Sequence, residues 1–283
     1  MRRSFGIAAI VAIAIVLAIY QATAVALLGG VGSPLSLAAH VPLAVAGPLE
    51  DLGGGALLTP ALRLVLARQA VARGDLPAAQ RRIAALNAGR DRDALSGQVE
   101  DLLGHRDAAI RDFLAAGDLA GLERESKAIE AAGDSHGAVV LQREIVRRLA
   151  ADPTERDDLA DAWWRLGYLE QNDGYHHYPI SSRRPWVERS LDAYAHAVAL
   201  APLAERYLVS AGNESLNLGD VKRAERYFMR AREADQTSAL PYVGLAEVAV
   251  RRRDFAGARK FYARAARIAP DAPAVVRLRA ELP

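Results

Sequence analysis

The chain opens with a long apolar stretch. Phe5 to Leu28 spans 24 residues and contains three polar side chains, none of them charged. A helix of that length can cross a hydrocarbon core of roughly 30 Å. Because Arg2 and Arg3 precede the stretch, the N-terminus is expected to stay in the cytoplasm. Residues 1–29 are thus predicted to be a membrane anchor that crosses the bilayer with residues 5–28 and leaves the rest of the chain extracytoplasmic.

A cleaved signal peptide is the alternative interpretation of the same stretch. The small residues of Ala22-Thr23-Ala24 fit a cleavage site after Ala24, and cleavage would release a secreted or periplasmic protein. In the next segment, residues 30–59, Gly and Pro repeatedly interrupt the apolar pieces, which disfavours a second spanning helix. This segment is predicted to be a membrane-proximal linker.

From residue 60 onwards the pattern of apolar positions indicates pairs of short helices. In the C-terminal third this pattern repeats after 34 residues. The matching pairs are Gly219 and Arg253, Asp220 and Asp254, Ala224 and Ala258, Phe228 and Tyr262, and Ala231 and Ala265. Small residues at fixed positions let two antiparallel helices approach closely, and a large residue nearby fills the remaining gap. The spacing therefore predicts stacked helical hairpins.

These spacings resemble the tetratricopeptide repeat family, and Trp163, Leu166 and Gly167 resemble its W-x-x-L-G signature. The resemblance implies an all-α fold, an α-solenoid of helical hairpins, which the predicted transmembrane helix would precede. It implies repeats over residues 151–283, closed by a capping helix after Pro273, and degenerate hairpin repeats over residues 60–150.

One segment departs from the repeat, because an insertion of about eleven residues falls within 171–188. A loop is the expected conformation, and its candidate partner contacts are Tyr175, His176, His177, Arg183, Arg184 and Trp186. A metal site, a catalytic His or an inert packed insertion are the other interpretations. Adjacent His side chains seldom point the same way and no third ligand is specified, so no metal ligand and no catalytic residue is assigned.

In the family that the repeats resemble, the first helix of each hairpin lines a groove for a peptide or a partner helix. The matching positions predict a partner-binding groove formed by Trp164, Tyr168, Asn172, Arg206, Val209, Asn213, Asn217, Glu247 and Arg251. Asn213 suits an extended peptide backbone, since an amide can donate and accept at once. Trp164 is expected either to face the groove or to pack against the insertion. The basic clamp that some relatives use for a C-terminal carboxylate is incomplete here.

Composition limits the chemistry that the chain can perform. It has no Cys, which excludes disulfides, thiolate metal sites and Cys nucleophiles. The string Gly133-Asp134-Ser135-His136-Gly137 matches G-x-S-x-G, but a helical pattern precedes it where a nucleophile elbow needs a strand. A turn between helices is therefore predicted there. No cofactor is predicted, and the chain is not expected to be an enzyme.

Charge is unevenly distributed, although the net charge is only +2. Residues 91–175 carry 10 basic and 19 acidic side chains, whereas residues 221–283 carry 14 and 7. The C-terminal excess includes the run Arg251-Arg252-Arg253 and is interpreted either as solvated helix surface or as a face for an anionic partner. Nucleic acid is not expected, because the interleaved aromatic residues of base-stacking sites are lacking.

These patterns together predict a membrane-anchored, extracytoplasmic scaffold that mediates protein–protein interaction in envelope assembly. Two alternatives stay open. One is an accessory factor of polysaccharide or envelope biogenesis that binds an anionic glycan or lipid. The other is an enzyme centred on the insertion at 171–188.

Overall fold

A computed structural model describes residues 60–152, 154–179 and 182–282 of the chain. The predicted membrane anchor, the signal-peptide cleavage site and the linker lie outside these residues. No helix within the described residues is both long enough and apolar enough to cross a membrane.

The described residues form α-helices and no β-strands, which confirms the predicted all-α class. Thirteen helices follow one another in these residues: α1 Pro60–Ala72, α2 Leu76–Ala84, α3 Arg90–Leu102, α4 Arg106–Ala116, α5 Leu119–Ala131, α6 Ser135–Leu149, α7 Arg156–His177, α8 Arg184–Leu200, α9 Glu205–Asn217, α10 Val221–Ala234, α11 Leu240–Arg251, α12 Phe255–Ile268 and α13 Pro273–Glu281.

The helices pack in sequential pairs, as the repeat pattern predicts. The pairs are α1 with α2, α3 with α4, α7 with α8, α9 with α10, and α11 with α12. The described residues divide into two compact units, the first ending at Leu122 and the second beginning at Glu123. In the second unit, α9 also contacts α11, so first helices of successive hairpins lie side by side.

The turns within the hairpins have a common chemistry. Gly219 has a φ of 79°, and the Asp220 carboxylate then caps α10 by accepting a hydrogen bond from the Arg223 N–H at 2.9 Å. Asp254 caps α12 in the same way. Arg253, which stands where the preceding repeat has Gly219, keeps a φ of 63°. A side chain in this left-handed region is strained, so this repeat retains the turn at a local cost in conformational energy.

In the first unit, Phe113 of α4 fills a slot between two glycines. A Cβ added at Gly97 of α3 or at Gly121 of α5 would lie 2.6 Å from the Phe113 ring. Phe113 is fully buried. The missing side chains on two helices therefore make the space that one aromatic ring on a third helix occupies.

The second unit repeats this arrangement with Phe228 of α10. The Phe228 ring is fully buried and lies against Gly212 of α9 and Gly244 of α11, where an added Cβ would come within 2.6 Å and 2.3 Å of it. Tyr194 of α8 lies against Gly167 of α7 in the same manner. Each ring thus joins a second helix to the glycine of a first helix, and Phe228 joins two successive hairpins.

The segment 171–188 forms helix more than loop, which corrects the expected loop conformation. Helix α7 continues to His177 and α8 begins at Arg184, so most of the added residues lengthen the two helices. Gly174 allows this, because a Cβ at Gly174 would lie 2.5 Å from the Cβ of Trp186 on α8. The two extensions pack directly on each other, and the half-buried Trp186 between them favours helix over a solvated loop.

The Gly244→Ala substitution tests the aromatic slot. The added Cβ has no room beside the Phe228 ring, and we expect the free energy of unfolding to fall by about 1–3 kcal/mol. Urea denaturation of the full-length chain measures the loss. Adding Phe228→Leu should recover part of it, since the smaller side chain can move away from the new methyl group. An unchanged urea midpoint for Gly244→Ala would contradict this account of the packing.

Candidate functional site

The predicted groove residues lie mainly on the first helices of three successive hairpins, α7, α9 and α11. On α9, Arg206, Asn213 and Asn217 are exposed at intervals of seven and four residues, which places them on one helix face. On α7, Tyr168 is 38% exposed. On α11, Glu247 is half-buried and Arg251 is exposed. The described residues therefore present polar and aromatic side chains along neighbouring helices.

Trp164 joins α7 to α9. Its indole Nε1 donates a hydrogen bond of 3.0 Å to the Ser210 hydroxyl oxygen. Its ring stacks on Tyr168, with centroids 6.4 Å apart, and is tilted against Tyr207 at the same distance. The Trp164 side chain is half-buried and packs against α9. Tyr168 is the more accessible ring of this aromatic cluster.

Arg206 is held by its neighbours rather than left extended in solvent. Its guanidinium donates to Asp161 and to the Tyr207 hydroxyl, and it lies 5.0 Å from the Trp164 ring centroid. The Tyr207 hydroxyl also donates to Asp161. Burial, and then the Asp161 carboxylate, raise the pKa of Tyr207 above its ordinary value. This network fixes the start of α9 against the start of α7.

Two predicted groove residues lie elsewhere. Val209 is only 8% exposed and belongs to the hydrophobic core, because its side chain falls on the buried face of α9 next to Leu208. Asn172 points towards α5, where its amide Nδ2 lies 3.5 Å from the Glu130 carboxylate. The helical period carries Asn172 away from the α9 side, and Gln171 lies beside α9 residues instead.

The predicted insertion contacts are held together by stacking. Arg189 lies 3.7 Å above the Trp186 ring, and Tyr178 stacks on Trp186 with centroids 4.6 Å apart. Arg183 donates to the backbone carbonyls of Tyr178 at 3.0 Å and Tyr175 at 2.9 Å. These contacts hold the end of α7 against the start of α8. Arg184 is exposed there and pairs with Glu188 at 2.9 Å.

His176 and His177 point to different neighbours, as adjacent residues on a helix do. His176 meets Tyr175 edge-on, with ring centroids 5.5 Å apart. His177 Nδ1 lies 3.1 Å from one oxygen of the buried Asp173 carboxylate, and His136 Nδ1 lies 3.5 Å from the other. Asp173 thus connects α6 to α7. Among the residues that the structure describes, no group of three or more His, Asp or Glu side chains is placed to hold a metal ion.

The G-x-S-x-G string lies at the start of α6 and not in a strand–turn–helix. Asp134 caps the helix by accepting from the Gly137 N–H at 2.8 Å, and Ser135 is the first helical residue. Helix α5 precedes the turn at Gly133. The geometry is that of the other hairpin turns in the chain.

The basic C-terminal residues lie on the surface. Arg251, Arg252 and Arg253 are exposed at the turn that follows α11. Arg252 makes two hydrogen bonds of 2.6 Å to Glu225 of α10, and its guanidinium lowers the pKa of that carboxyl. Further exposed basic side chains on α12 are Arg259, Lys260, Arg264 and Arg267.

Two buried acids were not identified from the sequence. Glu170 is 2% exposed and accepts hydrogen bonds from Arg143 of α6 and Arg189 of α8. Glu214 is 1% exposed, its Oε2 accepts from Asn217 at 3.3 Å, and its Oε1 has no hydrogen-bond partner. Burial raises the pKa of Glu214 to about 7. The signal was present in the sequence, because Glu214 falls in the buried stripe with Ala211 and Ser215.

The raised pKa of Glu214 predicts a pH-dependent stability. In the unfolded chain this carboxyl ionises near its ordinary value of 4.5, whereas the folded chain keeps its proton up to about pH 7. The folded state therefore binds more protons in this window, and its stability decreases as pH rises from about 4.5 to about 7. Glu214→Gln removes this ionisation. We expect the free energy of unfolding of the variant, relative to that of the wild type, to be about 1–3 kcal/mol higher at about pH 8 than at about pH 5.

Urea denaturation of the full-length wild type and variant at both pH values measures this difference. Glu233→Gln, an exposed change on α10, is the matched control and should give the same offset at both pH values. An equal offset for Glu214→Gln at the two pH values would contradict the assigned ionisation.

Comparison with known proteins identifies the repeat. Residues 216–282 match the model of the tetratricopeptide repeat family. The C-terminal part of a TPR repeat-containing protein from Cytophaga hutchinsonii has a similar structure, with a TM-score of 0.54 at 14% identity, over 82% of this chain and 91% of that chain. No curated protein matches the chain in sequence.

Two further solved structures have lower similarity. YrrB, described as a TPR protein with an unusual peptide-binding site, has a TM-score of 0.49 at 12% identity and covers 67% of this chain and 91% of its own. PilW, described as a type IV pilus biogenesis factor, has a TM-score of 0.45 at 13% identity and covers 77% and 97%. Residues 216–282 of this chain therefore match the tetratricopeptide repeat family, and its described helices have the fold of tetratricopeptide repeat proteins.

Proposed function

We propose that the chain is a binding module that holds a peptide or helix of a protein partner along α7, α9 and α11. The observation that carries the proposal is the alignment of exposed side chains on neighbouring first helices, with Tyr168, Asn213 and Asn217 at its centre. An aromatic ring and two amides on successive first helices suit a peptide, since the ring covers apolar side chains while the amides pair with the peptide backbone.

The rigidity of this surface supports the same function. The Trp164–Ser210 hydrogen bond and the Asp161–Arg206–Tyr207 network connect α7 to α9, and the Phe228 ring connects α9 to α11. A surface that is ordered before binding loses less conformational entropy when the partner arrives. The proposal assigns no catalytic step to the chain.

The cellular setting is part of the proposal. Residues 5–28 would anchor the chain in a membrane with its N-terminus in the cytoplasm, and the repeats would act outside the cytoplasm as a scaffold in envelope assembly. Support comes from the apolar stretch and the preceding Arg2 and Arg3. A protease-protection assay on intact membranes tests the orientation, and digestion of the repeats from the cytoplasmic side would contradict it.

The groove is tested with a double change, Tyr168→Ala with Asn213→Ala, in the full-length chain. Both side chains are exposed, so their removal should leave the thermal midpoint nearly unchanged. We expect the amount of a crosslinked partner recovered in a pull-down to fall about tenfold. The control pair Arg226→Ala with Glu233→Ala changes exposed residues of α10 and should leave recovery unchanged. Equal recovery with both pairs would contradict the groove assignment.

A second candidate function is supported by the exposed basic residues of α11 and α12, which could hold an anionic glycan or lipid headgroup. Charge attraction of this kind weakens with ionic strength. If the candidate is correct, the full-length chain binds a heparin matrix, and replacing Arg251, Arg252 and Arg253 by Ala shifts its elution to lower salt. Elution that is the same for variant and wild type would exclude this face as the anionic site.

A further inference from the structure

A cavity of about 450 Å³ opens beside the groove, between the end of α7, the start of α8 and the end of α9. Its apolar walls are Tyr175, Trp186, Val187 and Leu218, and its polar lining includes Gln171, Glu214 and Asn217. Arg183 and Arg184 complete the lining. The cavity is continuous with the groove, because Asn217 contributes to both.

The start of α8 makes one side of this cavity positive. Helix α8 has 17 residues, and its first residue is Arg184. The residue before it, Arg183, makes no side-chain capping hydrogen bond, and its backbone carbonyl accepts from the Trp186 and Val187 N–H groups, so no carboxylate among the described residues caps the positive end of the α8 dipole. The two arginines add full charges at the same place, and the Arg184 side chain is balanced by one exposed carboxylate, Glu188.

Glu214 is the second observation that points to a ligand. It is nine-tenths or more buried, lines the cavity, and its Oε1 has no hydrogen-bond partner. A buried polar atom without a partner destabilises the folded chain, and a ligand group that bonds to it would recover that loss. With its pKa raised to about 7, the carboxyl group carries a proton at slightly acidic pH and can then donate a hydrogen bond.

The surroundings decide which chemical group fits. Besides Arg183 and Arg184, the titratable groups around Glu214 are Tyr175, which lines the cavity, and Tyr194, which lies close enough to Glu214 to interact with it electrostatically. A lysine or arginine ligand would meet two like charges here. A carboxylate would meet two cations, a helix N-terminus and the donors of Glu214, Asn217 and Gln171. The apolar walls suit the methylene groups of a glutamate side chain.

We propose that this cavity binds the carboxylate of a glutamate side chain from an acidic segment of the peptide that the groove holds. The inference rests on the proposed function, since it assigns a chemistry to one end of the same surface. Glu214 contributes as the protonated donor, and Arg183 and Arg184 supply the compensating charge. Binding therefore strengthens as pH falls through the range in which Glu214 takes up its proton.

The test uses the full-length chain and a fluorescein-labelled peptide of Ser and Gly with a central Glu-Glu pair, blocked at both ends. Fluorescence anisotropy measures its dissociation constant. We expect Arg184→Gln to weaken binding about tenfold, whereas Arg226→Gln, an exposed change on α10, leaves it unchanged. A Gln-Gln peptide should bind at least about tenfold more weakly than the Glu-Glu peptide.

A pH comparison isolates Glu214. The wild type should bind the Glu-Glu peptide several-fold more tightly at about pH 6 than at about pH 8. Glu214→Gln keeps a donor at all pH values, so its affinity should lose that part of the pH dependence. The proposal is overturned if the Gln-Gln peptide binds equally well or if Arg184→Gln and Arg226→Gln act alike. It is also overturned if only a peptide with a free C-terminal carboxylate binds.

The result of the cavity test can be distinguished from the result of the groove test. The Tyr168→Ala with Asn213→Ala pair changes the groove but leaves every residue that lines the cavity in place. If the Tyr168→Ala with Asn213→Ala pair does not change partner recovery while peptide binding still weakens with Arg184→Gln, the groove assignment is wrong and the cavity proposal is supported. If the groove pair abolishes capture but the peptide does not bind, the cavity proposal alone fails.

Discussion

The structure depends on one packing constraint, an aromatic ring on a second helix that fits only where first helices carry glycine. Phe228 shows it most fully, because Gly212 and Gly244 give up their side chains on two successive hairpins to one ring. Phe113 does the same in the first unit. Because the contact is close and apolar, small changes in volume on either side are felt directly in stability.

This packing also decides which surface is left for binding. On α9, Leu208, Ala211 and Gly212 lie on the face that packs into the core. Asn213 and Asn217 lie on the other face and remain exposed. Helix α11 contacts α9, and α7 is joined to α9 through Trp164 and Ser210, so exposed faces of successive first helices lie next to one another. The polar networks at the helix starts then fix their relative positions. A binding surface results from the same contacts that hold the fold.

The predicted site shows how much of a binding surface can be predicted from residue positions alone. Tyr168, Asn213 and Asn217 are exposed, as residues that face a groove must be, and helical period is enough to place the two asparagines on one face of α9. Val209 and Asn172 were misplaced, because the family pattern gives an average orientation and not the contacts of a particular hairpin. Glu170 and Glu214 were missed for a related reason: an acid in an apolar stripe looks like a mismatch until its arginine or amide partners are known.

Sequence by itself determined the helical class, the spacing of the repeats and the chemistry of their turns, since these follow from local preferences and from periodicity. Tertiary structure decided the conformation of residues 171–188. Gly174 and Trp186 lie on different helices, and their close approach turns an expected loop into two helix extensions. It also decided that Glu214 is buried at the wall of a cavity that Arg183 and Arg184 also line. Both results depend on contacts between residues far apart in the chain, whose energies no local pattern contains.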